Sequence, residues 1–351
     1  MTRSLVIAPQ WIGDAVMTEP LVRALSERGE QITVFAVPWV APVYRAMNHI
    51  TGLQATVDAP FQHGGLQWHA RRALAGRIKS GEWGQFDRAY VLPNSLKSAL
   101  LPWLANIPER IGYLGELRYG LLNKRLANPQ RHERGSMVEH YLALSASQLR
   151  AGDESPQAAP CARPQLFAAP TDALSALDAH TLSPQNYAVI APGAEFGGAK
   201  RWPIEHFAAL IASLDQPVLL LGSNKDVAIC QVIRNKALRK NPHAQVTDLS
   251  GKTSLTEVIQ IIASAKSMVS NDSGLMHVAA AFSIPQVAVF GSSDPRHTPP
   301  LSDKAKVLWL GLACSPCFKR ECPLEGAAKL RCLNAITPAE VAGALTEVAL
   351  R

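Results

Sequence analysis

The sequence predicts an α/β protein of two halves, each a parallel sheet flanked by helices, and three observations carry that prediction. Short apolar runs at residues 5–8, 32–37 and 87–92, and again at 187–191, 217–222, 267–270 and 286–291, alternate with helical patterning. Strands that alternate with helices indicate a parallel sheet. Between about 151 and 169 the composition shifts to Ala, Pro, Ser and Gln, with Pro156, Pro160, Pro164 and Pro170 close together, the character of an interdomain linker. Finally, Val269-Ser-Asn-Asp-Ser-Gly-Leu-Met-His-Val278 reads as strand end, tight polar loop and helix start, the geometry of a phosphate-binding turn.

Taken in order, the first half opens with strand 5–8, a loop over 9–14 and a helix carrying Val16, Leu21, Val22 and Leu25. Strand 32–37 follows the Arg28-Gly29-Glu30 break, and the buried strand 87–92 ends at Pro93-Asn94. In the second half, strand 187–191 runs into Pro-Gly and strand 217–222 into another turn. Leu255, Val258, Ile259 and Ile262 fall at i, i+3, i+4 and i+7, an amphipathic helix before strand 267–270. An Ala-rich helix over 275–281 and strand 286–291 complete the pattern. The expected domains are residues 1–165, with the linker from about 151, and residues 166–351. Two such domains make a cleft, with ligands at the carboxyl ends of strands.

A chain of 351 residues is long enough for two cores, and 47% hydrophobic with 18% charged residues excludes a disordered chain. No run approaches the roughly 20 apolar residues that span a bilayer, and the apolar stretch at 5–8 is too short for a secretory signal. A cytoplasmic location is therefore expected. The formal charge of +7 suits a polyanionic partner, whether nucleic acid, anionic lipid or a phosphorylated substrate, or marks simply a basic protein. There is no dense Lys/Arg tract of the nucleic-acid kind. Lys79, Lys97, Arg110, Arg118, Lys124 and Arg125 bias the central loops of the first half toward positive charge.

Three strand-end loops carry candidate chemistry. Asp272, Ser273 and Gly274 occupy the loop and first turn before helix 275–281, where unpaired backbone N–H groups and the helix dipole hold anions. His277 lies about one turn further along the same face. The bland alternative is ordinary turn and N-cap chemistry. In the second loop, residues 191–203, Lys200 is placed to neutralise a phosphate and Trp202 to pack; its alternative is a flexible loop with a solvated Lys-Arg pair. The third, Gly222-Ser-Asn-Lys-Asp226, completes what reads as a nucleotide pocket. In the first half, Gln10-Trp-Ile-Gly-Asp14 presents Asp14 at a helix start, either as an N-terminal cap or as a general base. A helix N-terminus weakens a carboxylate base, which is tolerable if a nucleophilic hydroxyl loses its proton late, after the leaving group has largely departed. The glycines do not form G-x-G-x-x-G, which argues against a nicotinamide-binding oxidoreductase.

Trp11-Ile-Gly-Asp14, Leu92-Pro-Asn-Ser-Leu-Lys-Ser98, Pro192-Gly-Ala-Glu-Phe196, Lys200-Arg-Trp-Pro203 and Ser270-Asn-Asp-Ser-Gly-Leu-Met-His277 together closely resemble the lipopolysaccharide heptosyltransferases, over nearly the whole chain. The Pro-Asn-Ser-x-Lys-Ser and Pro-Gly-Ala-Glu-Phe-Gly forms look most like the type II members. The resemblance implies a glycosyltransferase B fold of two Rossmann-like domains facing each other across a cleft, acceptor in the first and donor in the second, the last helix packing back on the first. It implies metal-independent, inverting transfer of L-glycero-D-manno-heptose from ADP-heptose to the first heptose of the inner core, with no cofactor. Types I and III differ by acceptor and are the close alternatives. The carried-over roles are Asp14 as base, Lys200 on the donor phosphates, and Asp272, Ser273, Gly274 and His277 in the donor loop. Glu195 and Phe196 are placed toward heptose and diphosphate, Asn224 and Thr253 toward the nucleoside, and Asn94, Ser95 and Lys97 toward the acceptor. The basic loops would then meet the phosphorylated acceptor and the inner membrane, peripherally on its cytoplasmic face.

One feature stands outside that resemblance: Cys314-x₂-Cys317-x₄-Cys322-x₉-Cys332. Four thiols at short spacings are able to form a tetrahedral zinc site, and a non-catalytic, zinc-stabilised interaction protein is the corresponding third class. The spacing is not that of a common zinc module, and Pro316 and Pro323 indicate a loop. Free or redox-labile thiols are the favoured reading and a zinc site the lesser one. Cys161 and Cys230 read as ordinary packing or loop residues.

Overall fold

The computed structural model describes residues 1–55, 65–130, 135–146 and 162–351. The expected linker lies outside the described residues as far as 161, as does Cys161. The chain divides into two compact units, Met1–Leu166 and Phe167–Arg351.

The first unit carries strands β1 (Arg3–Ile7), β2 (Gln31–Ala36), β3 (Gly52–Ala55), β4 (Arg88–Val91), β5 (Glu109–Tyr113) and β6 (Lys124–Leu126). They form one six-stranded sheet in the order β3-β2-β1-β4-β5-β6, every neighbouring pair parallel. Leu5, Val6 and Ile7 are fully buried, as are Val34 and Phe35. Such continuous apolar strands belong to a sheet covered on both faces.

The single helix expected after β1 is two helices, Ile12–Met17 and Glu19–Glu27. The cause is Pro20 in the first turn of the second helix: it has no N–H for the carbonyl of Val16, so the first helix cannot run on. Thr18 sits at the junction and its hydroxyl donates to the Ala15 carbonyl at 2.7 Å.

The second unit repeats the design with β7 (Ala188–Ala191), β8 (Val218–Leu220), β9 (Val246–Asp248), β10 (Ser267–Asn271), β11 (Gln286–Val289) and β12 (Ala305–Leu308). Their order, β12-β11-β10-β7-β8-β9, is again all parallel. Its core joins Ile190, Leu220, Val269 and Val289 of the sheet to Phe207, Leu210 and Ile233 of the helices. The amphipathic helix is Leu255–Ala263, started by a Ser254–Glu257 capping box. The final helix, Pro338–Ala349, buries Val341, Ala344, Leu345 and Val348 in this same core.

Both sheets therefore have the 3-2-1-4-5-6 order of a dinucleotide-binding fold, and each reverses direction at one point. That point lies between β1 and β4, where Ile7 pairs with Val91, and between β7 and β10, where Ala191 pairs with Ser270. Chains leaving the two central strands diverge there and open a crevice at the carboxyl ends, where ligands bind in such sheets.

Candidate active site

At the reversal point of the second sheet, the loop after β7 meets the loop after β10. Asn271, the last residue of β10, is fully buried. Its side-chain amide donates to the Pro192 carbonyl at 2.7 Å and its oxygen accepts the Trp202 N–H at 2.9 Å. One side chain thus ties both ends of the 192–202 loop to the strand beside it. Trp202 is anchored in the core, its indole N–H donating to the Ile336 carbonyl at 2.9 Å. Between these anchors a short 3₁₀ turn, Gly198–Lys200, presents Lys200.

The Lys200 ammonium lies 2.5 Å from Asp272, whose side chain is only 6% exposed against 20% for the lysine. An ammonium has three donors, so this pairing leaves two for another anion. Ser273 caps the helix Gly274–Ala281 with extended backbone, but its hydroxyl makes no capping bond and is buried without a partner among the described residues. The N-terminal N–H groups of that helix face the same crevice end of the sheet, where an anion completes what the helix lacks. His277, on the same helix, is buried. Burial pushes its imidazole down to about 4; the Lys200 charge adds to the fall and Asp272 opposes it. At neutral pH it is an uncharged donor and acceptor.

Around this centre, Phe196 is 41% exposed, with the Lys200 ammonium 5.4 Å and the Arg320 guanidinium 5.3 Å from its ring centroid. Glu195 pairs with Lys225 at 2.5 Å on an exposed edge. The turns after β8 and β9 complete the rim. Ser223 and Asp226 form a capping box over Asn224–Asp226, and a Cβ on Gly251 would meet the Asn224 side chain at 2.5 Å. Gly193 is equally constrained, a Cβ there falling 2.7 Å from the Asp226 carboxyl. Three strand-end loops are therefore packed edge to edge. The Thr253 hydroxyl beside them is buried without a partner among the described residues.

In the first unit Asp14 lies in the first turn of Ile12–Met17, where Trp11 supplies no side-chain cap. The N-cap alternative for Asp14 is thus not what the structure shows. Its carboxylate accepts the Tyr141 hydroxyl at 2.9 Å, and Tyr141 is itself buried. After β4, Asn94 accepts from Arg118 at 3.1 Å, Ser95 and Ser98 share a 2.6 Å hydroxyl contact, and the Lys97 carbonyl accepts from Arg71 at 2.7 Å. Arg118 departs from expectation. It is fully buried, its guanidinium donating to the carbonyls of Pro93 and Tyr113, so it shapes the loop and adds no surface charge. Arg110 is likewise spent on the carbonyls of Leu121 and Ile107.

As the side chains stand, no group of three or more His, Cys, Asp or Glu among the described residues is arranged to hold a metal ion. The residues that sequence reasoning passed over are Asn271 and Tyr141. Asn271 stood inside a quoted motif with no task, and nothing in the chain places Tyr141 beside Asp14.

A family model described as glycosyltransferase family 9 (heptosyltransferase) matches residues 71–328. The chain belongs to glycosyltransferase family 9. Lipopolysaccharide heptosyltransferase 2 of Escherichia coli K12 is 41% identical over 315 residues, 87% of each chain. Lipooligosaccharide heptosyltransferase 2 of Haemophilus influenzae is 37% identical over 318 residues, 87% of this chain and 88% of that one. The solved structure of E. coli ADP-heptose lps heptosyltransferase II is similar with a TM-score of 0.81 at 35% identity, covering 100% of this chain and 99% of that one. As a family 9 glycosyltransferase the protein is an enzyme, and the expected pair of Rossmann-like halves of the glycosyltransferase B type is what the structure contains. The oxidoreductase and non-catalytic readings fall with that assignment.

Proposed function

We propose that this glycosyltransferase moves L-glycero-D-manno-heptose from ADP-heptose to the first heptose of the lipopolysaccharide inner core, heptosyl-Kdo₂-lipid A. The observation that carries the reading is the convergence of Lys200, Asp272 and the N-terminus of Gly274–Ala281 at the reversal point of the second sheet. That arrangement suits a diphosphate leaving group. The similarity to relatives named heptosyltransferase 2 supports the choice of donor and acceptor.

In this mechanism the donor diphosphate takes the two free donors of Lys200 and the backbone N–H groups at Ser273 and Gly274. These fixed positive ends meet the charge that develops on the departing ADP, with no divalent metal in the reaction. Neutral His277 borders the same anion without competing for its charge. Glu195 and Phe196 line the heptose and diphosphate, and Asn224 and Thr253 the nucleoside. Asn94, Ser95 and Lys97 contact the acceptor. Asp14, oriented by Tyr141, takes the acceptor hydroxyl's proton as that oxygen attacks the anomeric carbon. A single displacement inverts the configuration and needs no enzyme nucleophile. The division of labour assigns residues 1–165 to the acceptor and residues 166–351 to the donor.

The acceptor is anchored in a membrane, and no helix among the described residues is long and apolar enough to cross one. The enzyme then works from the cytoplasm, peripherally on the inner membrane. Exposed Trp103 and Tyr119 with Lys124 and Arg125 in the first unit suit that contact.

The test is a transfer assay with ADP-heptose, offering heptosyl-Kdo₂-lipid A and bare Kdo₂-lipid A to wild type and to Asp14→Asn. Transfer to the heptosylated acceptor only, lost in Asp14→Asn, is the expected result. Transfer to bare Kdo₂-lipid A would make the enzyme type I, and transfer to neither would sink the acceptor.

A further inference from the structure

We infer that Cys314, Cys317, Cys322 and Cys332 form a tetrahedral thiolate site for a divalent metal, zinc or iron, which braces the donor loop. The four cysteines, spread over 19 residues of chain, line a single cavity of about 120 Å³ together with Ala199, Ser292, Lys319 and Arg331. They are all free thiols. The segment between them has backbone that thiols alone do not call for. Phe318, directly after the Cys314-x₂-Cys317 pair, is left-handed at φ 54°, as is Leu330 at φ 53° just before Cys332. Left-handed backbone is costly for side chains of this size and persists where the surroundings over-determine it. The Leu330 N–H points at the Cys322 sulfur, 3.4 Å away, so the backbone just before Cys332 already folds onto a second cysteine of the set.

The sulfurs are not closed on a metal as they stand. Each cysteine has three staggered χ1 wells, and the site requires the four sulfurs to turn into the cavity they line. Closure brings four sulfurs to about 2.3 Å from the ion. Each thiol gives up a proton, so one divalent ion and four thiols become a complex of charge −2 and four released protons. Lys319 and Arg331 line the same cavity and offset that charge. Four thiolates in a tetrahedron select zinc or iron.

The consequence for the enzyme follows from what this segment touches. The Arg320 carbonyl accepts the Ala199 N–H at 2.9 Å and the Glu321 carboxylate accepts the Gly198 N–H at 3.0 Å. Phe318 N–H donates to Ser292, and Ser292 N–H to Ala199, at 2.7 and 3.3 Å. Residues 318–321, held between Cys317 and Cys322, are therefore the back wall of the turn that presents Lys200. The metal site does not depend on the identity of the sugar donor; its effect on donor binding rests on the ADP-heptose reading.

The experiment is elemental analysis of the full chain purified anaerobically without chelator, for wild type, Cys314→Ser, Cys332→Ser and the core control Cys230→Ala. About one zinc or one iron per chain is expected in wild type and Cys230→Ala, with the element distinguishing the two metals. Loss is expected in Cys314→Ser, whose exposed position spares the fold, and in Cys332→Ser. Cobalt substitution should add thiolate-to-metal charge-transfer absorption, and the KM for ADP-heptose should rise roughly tenfold or more on metal loss, because the loop is displaced. If no metal co-purifies, added Zn²⁺, Fe²⁺ and Co²⁺ are not taken up, and all four thiols react freely, the site is refuted. If metal is bound but its loss leaves KM unmoved, the bracing role is refuted. A wild type that binds metal yet ignores ADP-heptose would overturn the proposed donor and leave the site standing.

Discussion

Replacing Asn271 by alanine removes the side chain that ties both ends of the 192–202 loop to the central strand. The structure sets the size of the effect. Truncation strands the Trp202 N–H and the Pro192 carbonyl, both in a buried region where no solvent replaces the amide. A buried group left without its partner costs about 1–3 kcal/mol, so the two together should destabilise the second unit by about 3 kcal/mol. Half of that energy expressed as loop displacement in the free enzyme would weaken donor binding about tenfold. Equilibrium urea unfolding reads the first quantity, the KM for ADP-heptose the second, and amide hydrogen exchange across residues 194–202 locates the change. Asn271→Asp should be no milder: it keeps an acceptor for Trp202, loses the donor to Pro192 and buries a charge. A loss below about 0.5 kcal/mol with unchanged exchange in the loop would refute the reasoning, because the amide would then be carrying neither end.

Other outcomes follow from the same geometry. Asp14→Asn should lower kcat by about 10²–10⁴ with donor affinity unchanged by calorimetry, whereas Tyr141→Phe should cost far less in kcat at unchanged donor affinity, since the tyrosine only orients the carboxylate. Lys200→Met leaves Asp272 nearly buried and unpaired, so stability should fall by roughly 3 kcal/mol, and adding Asp272→Asn should restore most of it while donor binding stays lost; thermal denaturation of both variants checks this. Glu19 is fully buried, and burial pushes its carboxyl up to about 7 against the opposing pull of Arg23. Its folded pKa lies above its unfolded value, so its contribution is complete below about 4.5 and is lost as pH rises through 7, a change of up to about 3 kcal/mol. Glu19→Gln should flatten the stability profile between pH 5 and 8 and raise the melting temperature at pH 8; a profile identical to wild type would contradict it.

The strands that were legible in the chain are those at the centre of each sheet. β1, β2 and β4, and β7, β8, β10 and β11, are almost wholly buried, and each carries a short apolar stretch, down to Met268-Val269 in β10, where the buried partners are Ser267, Ser270 and Asn271. β3, β6, β9 and β12 were invisible because they are short edge strands whose outer side is not buried, and β5 because Glu109, Arg110 and Gly112 interrupt it. The helix split at Pro20 was written in the sequence and could have been read there.

The loops of the candidate site were readable for a local reason: Asp272, Ser273 and Gly274 follow directly on β10, Lys200 lies in the loop after β7, and backbone geometry at a strand-to-helix turn is decided by its own residues. What they do to one another was not readable. The Lys200–Asp272 pair spans 72 residues, the Tyr141–Asp14 bond 127, and the convergence of Cys314 and Cys332 depends on a segment that doubles back over Ala199. Arg118 looked like surface charge and is a buried brace. By itself the sequence determined the fold class and the two-unit organisation, because burial periodicity and turn chemistry are encoded over a few neighbouring residues. Tertiary structure alone decided which charges pair, which are buried and which thiols share a cavity, because those depend on through-space distances that strand order creates and chain spacing does not record.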